Sequence, residues 1–283
     1  MKTYVSRNAN EGLMKKIAVG MIVALVMFTG SAFAEEKIRI AGAGGMISLV
    51  TELAKAFMAE HKNTVIEVNQ KSIETKGGIM SAAEGKVDIG MASRPLKEEE
   101  KKLGISAIEI ARVANVLAVN KSVPLTDITS ENVCKIYSGK AMKWSDVGGP
   151  AEPIMVLSRP DADATKEVVR KHIACFKDLK EPASVVMVPT HPEMSKILAG
   201  RPYTIGFTDT IAVDDSAGSM VSLKLDGIAP NMENVRNGKY KMIKNMNLVV
   251  KGEPKGGTKA FIDFVKGPKG AKIIEANKAV AIK

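Results

Sequence analysis

"IRIAGAGGMISLVTELAKAF", residues 38–57, sets an apolar strand, a glycine-rich turn and an amphipathic helix end to end. Such a turn gathers free backbone N–H groups and the positive end of the helix dipole at one point, which suits an oxyanion. Two nucleotide readings fail. After Gly42 and Gly44 the third place of a dinucleotide fingerprint is Ile47, and no Gly-Lys-Ser/Thr follows to make a P-loop. On this stretch alone an anion cradle and a plain strand-to-helix connection stand level. In the helix, Leu49, Leu53 and Phe57 recur every fourth residue and make one buried stripe.

Outward from this unit the alternation continues: "TVIEVNQ", a helix over 77–85, "VDIGMAS", a helix over 97–103. The pattern predicts an α/β fold of mixed, mostly parallel sheets flanked by helices, with ligands beyond the carboxyl ends of the strands. Two long extended segments, near 108–123 and 242–252, bracket a self-contained middle. After the second comes a helix pair with Phe261, Phe264 and Val265 inward. A chain that crosses twice makes two lobes, the first from 35–115 and 248–283, the second from 116–247, with a cleft between them.

Residues 1–34 read as a signal peptide: Met14-Lys15-Lys16, the apolar run "IAVGMIVALVMF", then "TGSAFA", with a start at Met14 and cleavage after Ala34. The run is short of the roughly 20 apolar residues that a span needs. With no cysteine at the cleavage point, the mature chain is expected to be soluble and periplasmic. The formal net charge of +10 accompanies only 4% aromatics and no basic run, a pattern that fits attraction of small anions and argues against nucleic acid. Cys134 and Cys175 both fall in segments read as helices; their spacing does not say whether the sulfurs meet, and two buried thiols are expected before a bridge. His61, His172 and His191 show no ligand spacing, so no metal and no cofactor is expected. Trp144 reads as packing. No nucleophile–base pair or facing carboxylates suggest an enzyme.

Six motifs stand in order along the mature chain: "AGAGG", "ETKGGIMSAAEGKVDIGMASRPL", "LTDITSENVCKIYSGKAMKWSDVGG", "RPDADAT", "YTIGFTD" and "LDGIAPNMENVRNGKY". Together they resemble the phosphate-binding component of bacterial phosphate ABC transporters and the wider type II periplasmic binding protein family. The resemblance implies a two-lobed Venus-flytrap fold with two interlobe crossovers, acting as a monomer. It also implies closure on a dehydrated phosphate and delivery to the permease subunits of an ABC transporter. The phosphate is held by hydroxyls, helix N-terminal amides, an arginine and a carboxylate that takes the proton of hydrogen phosphate and so rejects sulfate.

Carried over residue by residue, the resemblance puts Gly45 and Met46 in the first loop, where backbone amides replace the family's hydroxyl and Ser48 is displaced by two residues. Thr75 and Lys76 stand in the second loop, with Glu74 adjacent. Ser93 replaces the family's aspartate and is followed by Arg94, while Asp88 reads as structural. In the third loop Arg159 and Thr165 are kept, whereas serine has become Asp163 and glycine has become Ala164. Two readings of Asp163 stay open. Either it takes over the acceptor role vacated at Ser93, or it caps the following helix, pairs with Arg159, and turns the cleft to another ligand or to sensing.

Overall fold

The computed structural model describes residues 35–282; the signal segment expected over 1–34 lies outside them. The opening motif forms β1 (Glu36–Gly42), a single 3₁₀ turn over Gly44–Met46, and α1 (Ile47–Glu60). Next come β2 (Thr64–Val68), α2 (Glu74–Ala83), β3 (Ile89–Ala92), the short α3 (Glu98–Lys101) and the 16-residue β4 (Ile105–Asn120). The middle of the chain begins with β5 (Asp127–Ile128), α4 (Ser130–Tyr137), β6 (Met155–Ser158), α5 (Ala164–His172) and β7 (Val186–Met187). It continues through α6 (His191–Gly200), β8 (Thr204–Asp209), α7 (Thr210–Asp215), β9 (Met220–Ser222), β10 (Lys224–Leu225) and α8 (Met232–Arg236). The return is β11 (Ile243–Lys251), followed by α9 (Gly256–Lys266), α10 (Pro268–Ala276) and β12 (Val280–Ala281).

The main sheet runs β2-β1-β3-β11-β4-β8-β6-β7, with β9 and β12 on β4. Its two ends are parallel: β1 pairs with β2 and β3, and β6 pairs with β8 and β7. Parallel neighbours need a crossover connection, and α1, α2, α5 and α6 supply them. The centre is antiparallel, because the two crossing strands β4 and β11 run in opposite directions. The result is the two-lobed α/β architecture, helices covering a mixed sheet.

Two large hydrophobic cores follow, beside a small third cluster around Ile79, Ala92 and Val249. Ile38, Leu49, Leu53, Phe57, Met91 and Phe261 form one; Leu117, Tyr137, Trp144, Leu157, Phe176 and Phe207 form the other. Within β4 the chain leaves the first core at Val113 and enters the second at Ala114. It returns between Met242 and Met246, so both crossings lie on the central strands.

The cysteines correct the expectation of free thiols: Cys134 and Cys175 form a disulfide, their Cα atoms 6.1 Å apart, within the bridging range. The sequence reading carried one helix through Cys175. Instead α5 stops at His172 and a 3₁₀ turn over Ala174–Lys177 follows, which brings Cys175 to the end of α4.

One close approach aims the site. A Cβ on Gly78 of α2 would lie 2.5 Å from the Met91 carbonyl oxygen, and one on Gly90 of β3 would lie 2.3 Å from the Gly78 carbonyl oxygen. Only glycine lets the helix lie this near the strand. The helix also starts three residues earlier than the expected Gly77, at Glu74, so Thr75 sits in its first turn rather than ahead of it.

Candidate functional site

Five loops and one crossing strand line a cavity of about 10 Å3, room for a single water-sized group. The first lobe contributes Gly44 and Gly45 after β1, Glu74 and Thr75 at the start of α2, and Ser93 after β3. The second contributes Asp163, Ala164 and Thr165 at the start of α5 and His191 at the start of α6, while Lys244 reaches in from β11. Thr75 Oγ1 accepts from the Ser93 backbone N–H at 3.1 Å, which leaves the threonine hydrogen to donate elsewhere.

Asp163 is the N-cap of α5. Its Oδ1 accepts from the backbone N–H groups of Thr165 and Lys166 at 3.0 and 3.1 Å, and its Oδ2 accepts from Arg159 Nη2 at 2.7 Å. Burial pushes this carboxyl up, but the hydrogen bond and charge of Arg159 outweigh it and hold the group below the ordinary aspartate range. Arg159 is itself buried. It donates through Nη1 to the Val188 carbonyl at 2.9 Å and through Nη2 to Glu74 at 3.1 Å, an ion pair between the lobes, while its Nε has no partner among the described residues.

A second buried ion cluster lies alongside. Lys244 Nζ donates to Asp209 Oδ2 at 2.7 Å, and His191 Nε2 stands 2.9 Å from the same oxygen. Asp209 is fully buried at the end of β8 and caps α7 through Oδ1, which accepts from the Ala212 N–H at 3.0 Å. Burial pushes its carboxyl up, and the charges of Lys244 and His191 overcome this and hold it well below the usual range. Gly45 makes the seat for the cluster: a Cβ there would meet Asp209 Oδ2 at 3.0 Å and the His191 ring at 3.3 Å.

His191 Nε2 also lies 3.2 Å from Thr208 Oγ1. One nitrogen therefore faces both the carboxylate and the hydroxyl. A triad base needs its two nitrogens on different partners, so this geometry does not make a proton relay.

Of the residues singled out from the sequence, Gly45, Thr75, Ser93, Asp163, Ala164 and Thr165 meet at the cavity, and Arg159 stands behind it on Asp163. Met46 is buried in the first core and Lys76 faces solvent. Arg94 turns away: its guanidinium makes two 2.7 Å bonds to Glu100. Sequence reasoning passed over Lys244, His191 and Asp209. A signal for the first does exist, since Lys244 stands two residues before buried Met246 on a strand, in the inward phase where a lysine is out of place.

A family model described as a PBP superfamily domain matches residues 29–269. The phosphate-binding protein PstS of Bacillus subtilis is 30% identical over 243 residues, covering 83% of this chain and 78% of the relative. Among solved structures, an X-ray structure from Clostridium perfringens, titled as a phosphate ABC transporter substrate-binding protein with bound phosphate, is 30% identical. It superposes with a TM-score of 0.78 over 88% of this chain and all of that one. An ABC-type phosphate transport receptor from Vibrio cholerae, 23% identical with a TM-score of 0.64 over 86% of this chain and 99% of that one, bears on the fold alone.

Proposed function

The chain belongs to the PBP superfamily, and we propose on that footing that it is the substrate-binding protein of a phosphate ABC transporter. It captures inorganic phosphate between its lobes without chemical change and delivers it to a membrane permease. The observation that carries this reading is the small interlobe cavity lined by Thr75, Ser93, Asp163, Thr165 and Lys244; with room for one water-sized group in this arrangement, it must widen by parting of the lobes to take a phosphate. Hydroxyls and a buried cation are donors for an oxyanion; a carboxylate repels one unless the anion brings a proton.

Asp163 supplies both halves of the choice left open by the sequence. A carboxylate offers about four acceptor sites, and Thr165 N, Lys166 N and Arg159 Nη2 take three of them. One remains, on Oδ2. We assign it to the P–OH of hydrogen phosphate, a donor that sulfate lacks, so pairing with Arg159 and selecting a protonated anion coexist. The lobes, with boundaries near 115 and 247, part to admit the ion and close on it through Glu74 and Arg159. No helix among the described residues is long and apolar enough to cross a membrane, in keeping with work outside the cytoplasmic membrane beside a separate permease.

The test is calorimetric. Protein unfolded and refolded to strip carried-over ligand is titrated with phosphate, sulfate and molybdate. Phosphate is expected to bind tightly and sulfate to be rejected; silence toward phosphate would sink the reading.

A further inference from the structure

Resting on that phosphate reading, we infer that Lys244 is a direct anion-binding residue of the cleft, a cationic contact delivered by the returning crossover strand. An ammonium carries three N–H donors and no acceptor. Asp209 Oδ2 takes one, and it is the one hydrogen-bond partner of Lys244 Nζ among the described residues. The side chain is 2% exposed and lines the cavity, so water reaches it poorly, and the cavity is the space at hand from which an acceptor can meet its two remaining donors. Buried donors are met by partners in nearly all folded proteins; here an oxyanion is the partner that fits.

The neighbouring cations are already engaged. Arg94 is committed to Glu100, and Arg159, bonded to Val188, Asp163 and Glu74, stands behind Asp163 and does not line the cavity. Lys244 is the cation at the cavity with donors to spare. Asp209 keeps that ammonium fixed: its Oδ2 meets Lys244 and His191, and its Oδ1 is tied to the α7 backbone. The contact also places the ligand on the hinge itself. Lys244 lies between Met242 of the second core and Met246 of the first, so an anion that draws on Nζ acts on the segment about which the lobes turn.

Three proteins decide it: the full chain, Lys244→Met, and the charge-balanced pair Lys244→Met with Asp209→Asn. Each is stripped of ligand and titrated with inorganic phosphate by calorimetry, with a thermal melt to establish folding. The single variant leaves Asp209 buried without its lysine and could fail to fold; the paired variant removes both charges and keeps the volume. Folded paired variant is expected to bind phosphate on the order of a hundredfold more weakly than the parent chain, the loss of charge-assisted hydrogen bonds. Binding within threefold of the parent would overturn the inference and leave the phosphate reading standing. A parent chain silent toward phosphate would overturn both.

Discussion

The third loop and the returning strand each bring a buried cation, held by a buried aspartate, to the same cleft, and they do so with opposite results. Arg159 is the residue a sequence reader selects, and its guanidinium is turned to the protein: Nη1 is on Val188, Nη2 is on Asp163 and Glu74, and the side chain does not line the cavity. Lys244 attracts no notice in "MIKNMNLVVKG", yet its ammonium meets one carboxylate and keeps two donors. The contrast separates two jobs that one positive charge can do. Arg159 organises the wall by fixing Asp163 and joining the lobes, while Lys244 presents charge to the space within.

The sharpest way to break this contrast is to remove each aspartate. Asp209→Ala leaves Lys244 buried and without its carboxylate and uncaps α7, so a loss of about 3–5 kcal/mol in denaturant unfolding is expected. Asp163→Ala uncaps α5 but leaves Arg159 with Glu74 and Val188, and is expected to cost about 1–2 kcal/mol. Equal losses would show that the two pairs are not different in kind. The same contrast extends to acid. Both carboxyls titrate below the ordinary aspartate range of 3.8 in the folded protein. Each therefore adds stability that is complete above about pH 4 and fades as the pH falls below it. Asp209→Asn should flatten the drop in unfolding free energy below pH 4 more than Asp163→Asn does.

Reducing the Cys134–Cys175 bridge sharpens the comparison from another side. The bridge closes a span of 41 residues and ties the turn after α5 to α4, so its loss is expected to lower stability by about 2–4 kcal/mol. Hydrogen exchange should rise in the α5 amides, which carry Asp163 and Thr165, and stay unchanged in β11, which carries Lys244. Equal deprotection of both would mean that the two sides of the cleft are one cooperative unit.

Much of the fold was legible because it is written in local periodicity. The strand–turn–helix of residues 38–57, the two long crossing segments and the inward face of Phe261 and Val265 all appear where the pattern puts them. The candidate site was legible only where it is made of loops with fixed motifs: Gly45, Thr75, Ser93 and the run from Asp163 to Thr165, which meet at one cavity. Lys244, His191 and Asp209 come from a strand, a helix start and a strand end separated by tens of residues, and only packing makes them neighbours. Arg94 shows the converse. Its position after Ser93 matches a motif, but Glu100, six residues on at the end of a capped turn, holds its guanidinium away from the cleft. The cysteines misled for a similar reason, since the stop of α5 at His172 depends on contacts that no local pattern records.

The smallest effect tests whether Arg159 also helps to hold the lobes shut. Glu74 adopts φ of 58°, in the left-handed region, and its carboxylate accepts from Ser72 Oγ at 2.8 Å and from Arg159 at 3.1 Å. A residue kept in that conformation persists when its surroundings fix it, and here the two side-chain bonds do so. Its side chain is 34% exposed, so Glu74→Gln should change unfolding by less than about 1 kcal/mol. Amide for carboxylate nonetheless weakens the link between the lobes at Arg159. Phosphate affinity should fall roughly threefold to tenfold, through a less populated closed state and not through any lost contact to the anion. If affinity is unchanged, Arg159 serves its own lobe alone, and closure rests on the cluster around Lys244.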